Sequence, residues 1–375
     1  MHDKTTAVLL DEKSFSIPYR LCIIRDIMAI LKGVGDFFGL DISMTAVRVV
    51  QLAPSGAGRW VLRHYGYAPI DIKTASADSA EARKRLGEVI MTVVGQSGIK
   101  TKNVAISLPA SKTFVTVVDM PTTNPDELNN TIKYQLEEYI PMAIDESKVD
   151  WAVLGQSLHD PSQQEVLLAS TAISYTEERM ELVEGLGFDV IAAEPEQLAM
   201  IRSVLQPGAK DAQVIVNMGE QTINVAIVYG DMPRLVRTIP NGLDTLVRAA
   251  AQNLAIEEDQ ARQFILKFGL AQDKLEGKVV QAIETTLDGF VSELSKSVKF
   301  FQTRYPALAI GSVVLTGYSG TIPQLDQYIA AKVGIRTLIA NPWQFVSVPK
   351  NDPQIMSVAS DFAVVIGLAE RKAES

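Results

Sequence analysis

The sequence predicts an α/β protein of two related lobes, with a small α+β module inserted in the first and a helical module in the second. Three observations predict it. The chain has 375 residues, and single hydrophobic cores stop growing at roughly 250–300 residues. A β-β-β-α order occurs twice, and repetition of a whole unit is a stronger signal than any single motif. Asp41 and Asn217 hold the same place in the two copies, 176 residues apart (217 less 41).

Residues 1–36 read as an extension. Apolar residues recur at helical spacing (Ile23, Ile27, Ile30 and Val34, flanked by Ile24, Met28 and Leu31), which predicts an amphipathic helix. Met28 offers an alternative start, so residues 1–27 are open to being non-native. The first lobe is expected over 37–109, 187–211 and 355–375. In it "FGLDI", "VRVVQL" and "WVLRHYGYAPI" read as strands, "SAEARKRLGEVIMTVVGQSG" as a helix, and "NVAISLP" as a strand. The inserted α+β module is expected over 110–186. It comprises a strand from "SKTFVTVVDMP", a helix over about Asp126–Tyr139, strands in "SKVDWAVLG" and "EVLLASTAI", and the helix "YTEERMELVEGLG" with Gly187 past its end. The strand "FDVIAAEPE" and helix "QLAMIRSVL" return to the first lobe.

The second lobe is expected over 212–245 and 311–354. "QVIVNMG", "NVAIVYG" and "PRLVRTIP" are its three strands and "GLDTLVRAAAQNLA" its helix. The helical module, 246–310, holds helices near Glu257–Phe268 and Val279–Arg304. "GSVVLTGYSGTIPQLDQYIAAKVGI" then reads as strand, turn and helix, and "DFAVVIGLAERK" closes the chain as a helix.

Composition narrows the function. Apolar residues make up 47% and charged residues 21%, as in soluble globular proteins. A net charge of −9 argues against nucleic acid, whose phosphates need clustered Lys and Arg. Cys22 is the single cysteine, which excludes a disulfide framework. His2, His64 and His159 lie far apart without metal-ligand spacing, which argues against zinc. No nucleophile-elbow motif is present. The apolar stretch "LCIIRDIMAILKGVGDFF" is broken by Arg25, Asp26 and Lys32. No transmembrane segment is therefore expected, and the expected location is cytoplasmic.

Three turns follow strand ends: Ile42–Ala46, Gly219–Thr222 and Thr316–Gly320. Backbone N–H groups in such turns hold phosphates, helped by a helix N-terminus. Asp41 beside the first turn is placed to hold Mg²⁺ through water. Turns of this kind usually use glycine for close backbone approach. The first turn, "ISMTA", has none.

From Phe37 to about Lys372 the chain resembles the actin-like (ribonuclease H-like) ATPase superfamily. Within it, it resembles the PilM family of type IV pilus assembly proteins, with FtsA a more distant relative. "FFGLDISMTAVRVVQL" and "VIVNMGEQTINVAIV" resemble that family's two phosphate turns, and "VVLTGYSGTIPQLDQYI" its adenosine turn. "LPASKTFVTVVDMP", "IKYQLEEYIPM" and "EPEQLAMIRS" resemble its inserted module and connecting segment. The resemblance implies ATP and Mg²⁺ held between two lobes. The implied cofactor residues are Asp41, Ser43, Met44, Thr45, Asn217, Gly219, Glu220, Gln221, Thr222, Arg262, Gly317, Tyr318, Ser319 and Gly320, with Asp41 as the metal residue. It also implies a cytoplasmic protein, peripheral at the inner membrane, that grips the N-terminal cytoplasmic tail of a PilN-like membrane protein beside the inserted module. Other pilus assembly components are further possible partners.

This chain departs from the family pattern at several of these positions. The family usually has Gly at Ser43, Asp at Asn217, small residues at Glu220 and Gln221, and Gly at Tyr318 and Ser319. A Lys near the ribose is replaced by Ile265, with Arg262 following Ala261. Glu220 adds negative charge where phosphate would sit, which repels it unless a metal or an arginine intervenes. Weak nucleotide binding and poor hydrolysis are expected, and no catalytic residue is assigned. The alternatives are a sugar-kinase-like enzyme and an FtsA-like filament protein. The first needs an Asp base that is not evident. The second needs a C-terminal amphipathic membrane helix that "LAERKAES" does not resemble.

Overall fold

The computed structural model describes residues 30–32 and 35–374, except 57, 77–78, 123–127, 129–130, 133–137, 207, 350–354 and 356–358. The described residues divide into two compact units. The first is Met1–Ser203, Phe345–Asn351 and Val364–Ser375; the second is Val204–Gln344 and Asp352–Ala363.

The first unit is ordered around β2 (Phe38–Ile42), β3 (Ala46–Pro54), β4 (Trp60–Pro69), β5 (Asn103–Leu108) and β9 (Asp189–Pro195). With β15 (Val346–Ser347) they form a six-stranded sheet in the order β15-β4-β3-β2-β5-β9. The β2–β3–β4 meander is antiparallel, while β5 and β9 add in parallel. Every residue of β2 is buried, as expected of a strand covered on both faces. Helices α1 (Ile72–Ser76) and α2 (Ala80–Ser97) follow β4. Ser79 caps α2 by accepting the Ala82 N–H at 3.1 Å, and Gly98 ends it at φ 81°. Leu86, Ile90, Val93 and Val94 of α2 are buried among Phe38, Val47, Val49 and Ile106. Each such side chain contributes about 1.5–3 kcal/mol on burial.

The second unit repeats the plan. Strands β10 (Ala212–Met218), β11 (Ile223–Tyr229), β12 (Met232–Ile239), β13 (Ile310–Gly317) and β14 (Thr337–Ile339) run in the order β12-β11-β10-β13-β14. Again a three-strand antiparallel meander is extended by two parallel strands. Between β12 and β13 lie α5 (Leu243–Leu254), α6 (Glu258–Phe268) and α7 (Lys278–Arg304). The stripe Ile283, Leu287, Phe290, Leu294, Val298 and Phe301 of α7 is buried against β11 residues Ile223, Val225 and Ile227 and their neighbours, at the spacing one helix face requires.

The inserted module hangs between β5 and β9. Strands β6 (Thr113–Pro121), β7 (Ser147–Gln156) and β8 (Gln163–Ala172) form an antiparallel sheet in the order β6-β8-β7, followed by α3 (Ile173–Gly185). Met120, Ile132, Trp151, Val166 and Leu168 are among its core residues. The helix expected near Asp126–Tyr139 lies largely outside the described residues.

Several expectations are corrected. Ile30–Lys32, expected on a helix, is a short strand β1 paired in parallel with β16 (Lys372–Glu374); the rest of the expected helix up to residue 29 lies outside the described residues. The closing helix α9 (Ala363–Ala369) therefore ends before Lys372. In both segments cross-strand hydrogen bonding replaces the helical bonds that periodicity suggested. Val346–Ser347 pairs with β4 of the first unit, and the units part after Ser203, one residue before α4 (Glu196–Val204) ends. Gly39 explains how α9 reaches the first sheet. A Cβ there would lie 2.7 Å from the Val365 carbonyl oxygen and 3.0 Å from Leu368 Cβ, so only glycine lets strand and helix approach.

Candidate functional site

The first turn is held by its own serine. Antiparallel register sets Ile42 opposite Val47 and Asp41 opposite Arg48. The turn closes by Ser43 N–H donating to the Ala46 carbonyl at 3.0 Å. Ser43 Oγ accepts the N–H groups of Thr45 (3.3 Å) and Ala46 (3.2 Å) and donates to Ala46 O at 3.1 Å. The N–H groups that would meet a phosphate are thus turned to the hydroxyl. Met44 is half-buried at the tip. Asp41 is 4% exposed. Its Oδ1 accepts Ser107 Oγ at 2.6 Å and its Oδ2 accepts Arg48 Nη1 at 3.2 Å. Arg48 Nη1 also donates to Ser43 Oγ at 3.0 Å, and its guanidinium lies 5.6 Å from the centre of the Tyr67 ring.

The second turn is closed by Gly219 N–H donating to Thr222 O at 2.8 Å. The N-terminus of α5 faces it, but Leu243 and Asp244 N–H donate to the carbonyls of Gly219 and Glu220, each at 3.0 Å. The helix end that could bind an anion binds the turn instead. Glu220 is buried and forms a bidentate pair with Arg262 of α6, Nη1 to Oε2 at 3.0 Å and Nη2 to Oε1. Donating to the Glu220 carboxylate holds the guanidinium above its usual range. Gln221 is exposed and Thr222 half-buried.

The third turn meets the second. Gly317 has φ +61°, and a Cβ there would lie 2.2 Å from Asn217 Oδ1 and 2.6 Å from Met218 O. No other residue fits that backbone or that space. Ser319 is buried, its Oγ donating to Thr316 O at 2.6 Å, with Val216 O at 3.2 Å. It therefore braces the turn. Tyr318–Gly320 form one turn of 3₁₀ helix, and α8 (Leu325–Val333) starts only after Gln324. The third turn does not open α8 directly, as the sequence suggested.

The structure thus joins Asn217 with Gly317, and Glu220 with Arg262, within the second unit. Asp41 and Ser43 are joined within the first, to Arg48 and Ser107, neither of which the sequence reading named. Arg48 was findable: with a turn over Ser43–Ala46, antiparallel pairing puts residue 48 opposite 41. Ser107 comes from β5, 66 residues away in sequence, and had no local signal. As arranged, Asp41, Ser43 and Glu220 are each engaged by side chains of their own unit. Each Asp41 oxygen already accepts one donor, Arg48 or Ser107, and a buried carboxylate, Glu220, stands in the second turn. Asp41, expected to hold the metal through water, accepts from Arg48 and Ser107.

A family model described as the type IV pilus assembly protein PilM matches residues 39–373. The chain belongs to the PilM family. Solved structures agree on the fold. A PilM–PilN type IV pilus biogenesis complex is similar at a TM-score of 0.77 and 19% identity, covering 91% of this chain and 99% of that one. The ethanolamine utilization protein EutJ from Carboxydothermus hydrogenoformans follows at TM-score 0.52 and 13% identity, covering 93% and 94%. MreB5 of Spiroplasma citri, solved with AMPPNP, matches at TM-score 0.50 and 11% identity, covering 88% and 94%. The fold of this PilM-family chain is the actin-like one, and its role lies in type IV pilus assembly. No helix among the described residues is long and apolar enough to cross a membrane.

Proposed function

We propose that this chain is a pilus assembly scaffold that uses the actin-like fold without nucleotide turnover. It grips the N-terminal cytoplasmic tail of a PilN-like membrane protein, peripheral at the cytoplasmic face of the inner membrane. The observation that carries the partner claim is the PilM–PilN complex, whose matched chain this fold covers over 99% of its length. The arrangement of the turns supports the second half of the reading. Asp41 and Glu220 are each neutralised by an arginine of the same unit, so ATP and Mg²⁺ have little left to bind. Scaffolding needs the fold's shape, whereas turnover needs those donors free.

The inserted module is the docking element in this reading, and its exposed Asp145 and Glu146 would attract a basic tail and speed encounter. Calorimetric titration of the full chain with a PilN-like tail peptide tests it. One-to-one binding without nucleotide is expected, with the on-rate reduced by Asp145→Lys together with Glu146→Lys. Absence of tail binding, with and without Mg-ATP, would sink the partner claim. Steady ATP turnover by the purified chain would sink the scaffold claim.

A further inference from the structure

We infer that the inserted module carries a divalent transition-metal site of the zinc type, built from Asp119, His159 and Glu165. Three segments converge there. Asp119 of β6 and Glu165 of β8 stand directly opposite in antiparallel register, which puts two carboxylates side by side on one face. His159 reaches them from the β7–β8 turn. One ligand atom of each residue lies within 4.8 Å of the others, and His159 Nε2 is 3.4 Å from Asp119 Oδ2. Glu165 is fully buried, Asp119 half-buried and His159 exposed, so the set runs from the interior of the module to solvent.

The histidine is oriented for this task. Its Nδ1 lies 3.0 Å from Ser157 Oγ, which turns Nε2 toward the carboxylates, the outer contact usual for a metal-binding imidazole. The turn carrying it is stiff. Asp160 accepts Ser162 N–H at 2.9 Å, Ser162 Oγ at 2.6 Å and Gln163 Nε2 at 2.9 Å. On the far side of Glu165, β7 sets Gly155 opposite it at a bulge, and glycine brings no side chain.

One imidazole nitrogen and two carboxylates suit Zn²⁺ and its first-row neighbours better than the all-oxygen shells of Mg²⁺ or Ca²⁺. Bond lengths near 2.0–2.2 Å in a tetrahedral shell place ligand atoms about 3.3–3.6 Å apart, a spacing His159 Nε2 and Asp119 Oδ2 already have at 3.4 Å, so closing the site draws these two and Glu165 together by up to about 1.3 Å. Three protein ligands leave one position for water. The ion would fasten the β7–β8 turn onto β6. Sequence spacing could not reveal this site, because its ligands come from three separate segments that only the strand register aligns.

The test is titration of the metal-free full chain with ZnCl₂ at pH 7.5, read by calorimetry and by thermal melting, with MgCl₂ and CaCl₂ alongside. One equivalent of Zn²⁺ is expected to bind and raise the melting temperature, and Mg²⁺ and Ca²⁺ to do neither. Asp119→Asn and His159→Gln should each weaken that binding at least tenfold. Ser157→Ala should weaken it by about tenfold, and His64→Gln should leave it unchanged. No stoichiometric Zn²⁺ binding, or binding that survives His159→Gln, overturns the proposal. His159 is exposed, so that variant keeps the test decisive even if Asp119→Asn fails to fold.

Discussion

The first turns of the two lobes sit at corresponding places in the duplicated plan, and each has an arginine on its carboxylate, but the arginines arrive by different routes. In the first lobe Arg48 comes from the paired strand, seven residues on, and both side chains are under a tenth exposed. In the second, Arg262 comes from a helix 42 residues away and its side chain remains 31% exposed. The first pair is fixed by the same strand register that builds the sheet, whereas the second depends on how a helix docks. Duplicated elements have therefore arrived at one electrostatic outcome by independent means.

The sharpest way to break this comparison is to remove each arginine. Arg48→Ala leaves Asp41 buried with only Ser107, and should cost about 3–5 kcal/mol. Arg262→Ala opens Glu220 to water and should cost about 1–2 kcal/mol, since partly exposed pairs are screened. Chemical denaturation of the two variants measures the gap, and equal losses would show that the two pairs are equally enclosed.

A third carboxylate gives the contrast a pH dimension. Glu194 is fully buried, which alone would raise its pKa, but Arg202 and Arg371 bring it below the usual range. Arg202 Nη2 lies 2.5 Å from its Oε1. Glu370 is also buried, and burial outweighs the pull of Arg202 to push it up to about 8. The signs are opposite. The stability from Glu194 is present above the unfolded value near 4.5 and is lost as pH falls through its lowered pKa. For Glu370, the unfolded chain loses its proton near pH 4.5 while the folded chain keeps it to about 8, so stability falls across that window. Glu370→Gln should match the native chain at pH 4 and exceed it above pH 8, by on the order of 2–4 kcal/mol. A constant difference between the two across pH would show that Glu370 is charged in the fold.

The last expected effect is a gain. Glu220→Gly removes the carboxylate and frees the Arg262 guanidinium beside a backbone turn. Pyrophosphate should then bind at around 1 mM, about −4 kcal/mol, where the native chain shows no saturable binding by calorimetry. Tight pyrophosphate binding by the native chain would mean that the Arg262 pair opens readily.

These contrasts also show what the sequence made legible. The strands around Asp41 and Asn217 were readable because apolar runs and turn residues repeat as a unit, and the α7 stripe from Ile283 to Phe301 was readable from its period. Both are local signals. Ser43 was noticed as a missing glycine, but its hydroxyl's capture of the Thr45 and Ala46 amides depends on turn geometry. The Glu220–Arg262 pair and the Ser107–Asp41 bond join residues 42 and 66 positions apart, and periodicity carries no information at that range. Ile30 and Leu31 misled for the opposite reason: their helical spacing was real, but pairing with Lys372–Glu374 overrides it.

The fit of Gly39 beneath α9 bears on the order of synthesis. The first lobe begins at the start of the described chain, yet β15 and α9, which complete it, lie at 346–347 and 363–369. A ribosome will have made every strand of the second lobe's sheet, which ends at Ile339, before the first can close. Translation from the N-terminus usually lets early domains fold first. Here the earlier lobe must wait with Gly39 uncovered, its six-stranded sheet lacking only β15.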